Sequence, residues 1–148
     1  AVAFGEALRP GFKTYAKQVI KNAKVLEKEL KKMGYKIMFG GTDYHMVLID
    51  VMGSKGVTGK EAEHALDEAG ITVNKNMIPD DPRSPMDPSG IRVGVQAITS
   101  RGMKEKEIKK ITAWIDAIIT AHSDEKTLAE IKKDVTKFCK KYPIYPKV

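Results

Sequence analysis

The chain reads as an α+β two-layer sandwich, a small and mostly antiparallel sheet covered by helices on one face. Three observations predict this: short apolar runs interleaved with amphipathic stretches, turns of hairpin length between some of those runs, and helical periodicity at both ends of the chain. The 148 residues, 42% hydrophobic and 30% charged, supply one ordinary core and lack the polar excess of a disordered chain.

From Phe12 onward, Tyr15, Ala16, Val19, Ile20, Ala23, Leu26, Leu30 and Met33 recur at three- and four-residue steps, the spacing of an amphipathic helix. Pro10 suits its start and Gly34 its stop, and its lysines, Lys13, Lys17, Lys21 and Lys24 among them, mostly avoid the apolar stripe. A helix of about 22 residues spans roughly 33 Å, long for so small a domain and suited to connecting two bodies. Ile37–Phe39 and Met46–Met52 follow as strands around the turn Gly40-Gly41-Thr42-Asp43. Thr58 and Glu61 form a capping-box pattern ahead of Ala62, Ala65, Leu66 and Ala69, and Gly70 ends that helix. Ile71–Val73 reads as a third strand. Ile91, Val93, Val95 and Ala97 alternate through a fourth, placing Arg92, Gly94 and Gln96 on its other face. Two more helices carry the stripes Ile108, Ile111, Ile115, Ile118, His122 and Leu128, Ile131, Val135, Phe138, with Pro143 and Pro146 ending the last.

Composition excludes several function classes. The net charge of +7 raises nucleic acid, but 22 of the 26 basic residues are lysines spread over helix faces, and no arginine-rich tract with interleaved aromatics is present. Such a lysine-rich surface also suits a heat-adapted organism. No apolar run approaches the ~18 residues of a membrane span, and the N-terminal residues lack a signal-peptide pattern. Cys139, the single cysteine, cannot pair within the chain, so a reduced, cytoplasmic setting is expected. His45, His64 and His122 have no companions at metal-ligand spacing, so no metal site is expected. His45, opening a strand after a turn, can face a cleft but reads first as a structural histidine.

The segment "ITVNKNMIPDDPRSPMDPSGIRVG" (71–94) stands apart. Pro79, Pro82, Pro85 and Pro88 stiffen the connection between two strands, while Asn74, Asn76, Ser84 and Ser89 offer short polar groups to a ligand edge. At its end Arg92 sits in an apolar strand between Gly90 and Gly94, in a chain that otherwise prefers lysine. A guanidinium meets a carboxylate with a planar fork that lysine lacks. That carboxylate is either a ligand's or an internal Asp or Glu, and bare chemistry leaves both open.

Six pieces, "FKTYAKQVIKNAKVL", "GGTDYHMVLIDV", "TGKEAEHAL", "GITVNKNMIPDDPRSP", "SGIRVGVQAIT" and "RGMKEKEI", lie in register with the C-terminal part of serine hydroxymethyltransferases over about residues 1–120. The resemblance implies the C-terminal domain of a fold-type I pyridoxal-phosphate enzyme, with residues 1–34 as the linking helix from a large domain and 35–148 as the small domain. It implies interconversion of serine and glycine, transfer of a one-carbon unit to a reduced pterin, and a homodimer in the cytoplasm. Arg92 would bind the α-carboxylate of serine or glycine, and Asn76, Ser84, Pro85 and Met86 would line the pterin site. No catalytic residue falls within this chain, because the family's cofactor-bonding lysine lies upstream in the large domain; alone, the chain should be inactive. His45 matches a family histidine without a catalytic assignment. Tyr44, Met86-Asp87-Pro88 and Val95-Gln96 depart from the family's usual residues near the pterin side, so either tetrahydrofolate or tetrahydromethanopterin remains a candidate acceptor. Residues beyond about 121 resemble the family less and read as a lineage-specific extension. Apart from the resemblance, a free-standing regulatory domain that senses an amino acid through Arg92 is the competing reading.

Overall fold

The computed structural model describes residues 1–145. A short helix α1 (Val2–Ala7), with no buried residue, precedes α2 (Pro10–Lys32), whose 23 residues extend about 34 Å. The expected stripe is the buried one at Val19, Ala23, Leu26 and Leu30, while Ile20, expected with it, lies on the flank at 43% exposure. The first turns of α2 stand clear of the core. A polar residue completes the buried face: Asn22 Nδ2 donates to Thr99 Oγ1 at 2.8 Å and to the Met103 carbonyl at 3.0 Å, and its Oδ1 accepts from Gln18 at 3.0 Å. Apolar periodicity cannot reveal such a residue, because its warrant is a set of partners some 80 positions away.

The sheet has the order β1–β2–β4–β3, antiparallel throughout, with β1 at Lys36–Ile37, β2 at Met46–Asp50, β3 at Asn74–Asn76 and β4 at Gly90–Gly94. The α+β sandwich is therefore as expected, but four strand boundaries differ from the sequence reading. Met38 and Phe39 leave the first strand for a 3-10 turn in which Phe39 has φ 57°. The second strand stops at Asp50, whose carboxylate accepts from Gly53 N at 2.7 Å and starts a helix, α3 (Val51–Lys55), where strand was expected. Ile71–Val73 is a connector, and the third strand forms instead at Asn74–Asn76, where edge pairing outweighs the poor strand preference of asparagine. Beyond Gly94 the chain turns into α5 (Gln96–Ser100), so Ala97 is exposed helix surface rather than strand.

Ile49, Val47, Ile91 and Val93 point to the face covered by α2 and by α4 (Gly59–Glu68), and α6 (Glu105–Thr120) packs onto both helices. The capping box of α4 is present, with Glu61 N donating to Thr58 Oγ1 at 3.1 Å and Thr58 N to Glu61 Oε2 at 2.8 Å. Gly59 lets α4 meet the sheet, its N–H bonding the Pro88 carbonyl at 2.7 Å; a Cβ there would lie 2.2 Å from the Gly90 carbonyl oxygen. The last helix, α7 (Glu125–Cys139), buries Leu128 and Val135, and Pro143 follows it; Pro146 lies outside the described residues.

Gly59→Ala is expected to cost about 1–3 kcal/mol of stability, because both partners of the collision are backbone and cannot yield. Gly11→Ala, where nothing lies within 4 Å, serves as the neutral control. Equal denaturation midpoints for the two variants would refute the tight packing of α4 on β4.

Candidate functional site

Alternation along β4 sends Ile91 and Val93 into the core and Arg92 to the opposite face. Pairing places Arg92 beside Leu48 of β2 and Asn74 of β3, with Gly94 beside Met46. This face carries a cavity of about 350 Å³ lined by His45, Met46, Asn74, Arg92, Gly94 and Gln96, together with Thr72 and Val73. None of these residues is acidic. Among the described residues the Arg92 guanidinium has neither an ion pair nor a hydrogen bond, while Asp50 caps α3 and Glu63 holds Lys75 at 3.1 Å. Among the described residues, then, the internal salt bridge that the sequence left open for Arg92 is not formed.

The loop from Met77 to Ser89 is organised by Asp81. Its carboxylate accepts from Ile78 N at 3.1 Å, Arg83 N at 3.0 Å, Ser89 N at 2.9 Å and Ser89 Oγ at 2.7 Å. Partial burial on its own would raise the Asp81 pKa, but the donors from Ser89, Arg83 and Ile78 outweigh it and bring the group down to about 2. Arg83 bonds the Asp87 carbonyl at 2.9 Å and pairs with the Asp87 carboxylate. Its C-terminal end is tied to two helices, the Pro88 carbonyl accepting from Gly59 N at 2.7 Å and the Ser89 carbonyl from Met52 N at 3.0 Å. Ser89, expected to offer its hydroxyl to a ligand, is instead buried and committed to Asp81.

Of the residues expected at a pterin site, Asn76 lies on the Arg92 face of the sheet, opposite Gly90, and its Nδ2 donates to the Met77 carbonyl at 2.6 Å. Ser84, Pro85 and Met86 are exposed on the loop, Met86 at 76%, and do not line the Arg92 cavity. His45 does line it, and its carbonyl accepts from Val95 N at 3.0 Å. His64 lies on the surface of α4, 3.4 Å from Glu68, and His122 follows α6. No lysine lines the cavity; Lys55 and Lys75 are held by Asp116 and Glu63 at 2.9 and 3.1 Å. The described residues around this cavity thus offer no amine for the covalent anchorage of an aldehyde cofactor, and their one charged group is the Arg92 guanidinium, with His45 the other ionisable side chain. Sequence reading missed the Asp81 hub, although Asp-Pro-Arg followed by a serine carries an Asx-turn signal in the amide two residues on.

The family model described as serine hydroxymethyltransferase matches residues 1–115. The chain belongs to the serine hydroxymethyltransferase family. It is 51% identical over 145 residues to the serine hydroxymethyltransferase of Xanthomonas oryzae pv. oryzae, and 50% identical over 146 residues to that of Koribacter versatilis. These alignments cover 98% and 99% of this chain but 34% of each relative, so the chain spans about a third of the length of the serine hydroxymethyltransferases it matches. It represents a C-terminal portion of the family, as the six sequence pieces implied. The family model stops before α7, as the weaker resemblance beyond about residue 121 led us to expect, while the alignments to these two relatives continue through α7.

Because the Asp81 carboxyl is depressed from an ordinary 3.8 to about 2, its contribution to loop stability is fully present above about pH 4 and disappears as pH falls through about 2. Amide exchange at Ile78, Arg83 and Ser89, corrected for intrinsic rates, should rise on acidification across that window. Asp81→Asn should raise it at neutral pH by about tenfold or more. Protection indifferent to both changes would show that the carboxylate does not order the loop.

Proposed function

We propose that this chain is the substrate-positioning domain of a pyridoxal-phosphate-dependent serine hydroxymethyltransferase, in which Arg92 holds the α-carboxylate of serine or glycine. The observation that supports it most directly is a guanidinium, unpaired among the described residues, on the sheet face opposite the core, walling a cavity without acidic residues. A fork of two parallel N–H donors fixes the plane of a carboxylate as well as its position. That matters for this reaction, because the bond that breaks at Cα is chosen by how the substrate is held. The cofactor, held by the part of the enzyme outside this chain, supplies an electron sink for the carbanion of glycine. This chain's share is to bind and orient.

On this reading residues 1–34 link the small domain, 35–148, to a larger cofactor-binding domain, and the exposed first turns of α2 suit such a crossing. Asn76, Ser84, Pro85 and Met86 present the loop to a reduced pterin, either tetrahydrofolate or tetrahydromethanopterin, which accepts the one-carbon unit. The intact enzyme is a cytoplasmic homodimer, and the isolated chain is inactive. Among the described residues no helix is long and apolar enough to cross a membrane.

In the full-length enzyme, Arg92→Ala, and nearly as much Arg92→Lys, is expected to raise KM for serine and lower kcat/KM by roughly 10² or more, since a charge-assisted pair of hydrogen bonds is lost. Steady-state kinetics against serine concentration decide it. An unchanged KM in both variants would remove Arg92 from the substrate site.

A further inference from the structure

The side-chain amide of Gln96 lines the Arg92 cavity and has no role so far. It projects from the first residue of α5 back over Gly94, where a Cβ would lie 2.6 Å from Gln96 Oε1 and 3.9 Å from Nε2. The amide oxygen thus faces the strand and the nitrogen, the donor, is turned away from it. The Gln96 backbone carbonyl is engaged, accepting from Tyr15 Oη at 3.3 Å and Ser100 Oγ at 3.1 Å, so α5 is held where it is. The side-chain amide, by contrast, has no hydrogen-bond partner among the described residues. Gly94 makes this arrangement possible by having no side chain to occupy the same space.

A guanidinium fork fixes the plane of a carboxylate, but the bound molecule can still pivot about the axis joining the two groups. A donor outside the fork removes that freedom. We propose that Gln96 is a second donor to the carboxylate held by Arg92, its Nε2–H bonding one carboxylate oxygen and fixing the substrate's rotation. The absence of any acidic side chain from the cavity wall favours an anion as the acceptor for this amide. The inference rests on the assignment of Arg92 to the substrate carboxylate, and its test separates the two.

The test uses the full-length enzyme that carries this chain, with glycine affinity measured by calorimetry beside the kinetics of serine. Gln96→Leu is expected to weaken glycine binding and raise KM for serine by about tenfold, with a smaller change in kcat. Gln96→Glu should weaken both further through like-charge repulsion, the excess easing as pH falls into the carboxylate range. Gly94→Ala, which keeps the amide but displaces it, should fall between wild type and Gln96→Leu. Ethanolamine, which lacks the carboxylate, should bind all of these forms alike. If Gln96→Leu fails to fold, Gln96→Glu carries the comparison. Glycine affinity unchanged in the Gln96 variants but weakened in Arg92→Lys would overturn the role of Gln96 and leave that of Arg92. Ethanolamine weakened as much as glycine would also overturn it, since Gln96 would then only shape the cavity. Glycine affinity unchanged in Arg92→Lys would overturn the assignment on which the inference rests.

Discussion

The register of β4 is the constraint on which the rest depends. A side chain at Gly90 would put its Cβ 2.8 Å from the carbonyl oxygens of both Ile49 and Asn76, one on each neighbouring strand, and 2.7 Å from the Ile78 side chain. Glycine therefore allows β2 and β3 to close on β4 at this point, and Gly59 extends the same close approach to α4. With the pairing set there, alternation dictates everything downstream: Ile91 and Val93 must enter the core, and Arg92 must leave it. A slip by one residue would carry the guanidinium into the apolar layer and both aliphatic side chains into water, a change far larger than the stability of a small domain can absorb.

The two ends of β4 are then held by different means. At its start, the Asp81 carboxylate gathers the amides of residues 78, 83 and 89 and the Ser89 hydroxyl, so a loop with four prolines and few backbone donors is ordered around a single charge. At its end, α5 is fastened to the long helix α2 through Tyr15 to the Gln96 carbonyl and through Asn22 to Thr99 and the Met103 carbonyl. These bonds are buried around Asn22, where an unmade polar contact is costly. The residue that follows the Arg92 strand is thus mechanically joined to α2, and a shift of that helix displaces the cavity wall with it.

Periodicity made the helices and the α+β class legible, because a stripe of Val19, Ala23, Leu26 and Leu30 has one sensible burial. It also placed Arg92, Gly94 and Gln96 on one side of the sheet, although Gln96 reaches that side by folding back from a helix rather than along a strand. What it could not find were features resting on distant partners or local capping. Asp50 turned an apolar run, Val51 and Met52 included, into helix, and the two asparagines of β3 became strand only because β4 offers them an edge. The Asp81 hub and the Asn22 network are polar solutions to the satisfaction of backbone and side-chain groups, and hydrophobic patterning carries no information about them.

The four arginines show how the site can be recognised without a ligand. Arg83 is taken up by Asp87 and its carbonyl, and Arg101 closes the end of α7 through the carbonyls of Cys139 at 3.1 Å and Tyr142 at 2.6 Å. Arg9 precedes α2 at an exposed position. Arg92 differs from the two that are engaged: its fork has no internal acceptor among the described residues, yet it is set in the middle strand pair of the sheet rather than at the end of a flexible segment. Holding a charged fork on rigid backbone without an internal partner keeps its donors free and limits the entropy lost when an anion binds. Lysine, abundant on α2, α6 and α7, offers neither the planar geometry nor the same preorganisation. The chain's preference for lysine elsewhere therefore makes the choice of arginine at position 92 a statement about shape, a planar fork of the kind that complements a carboxylate.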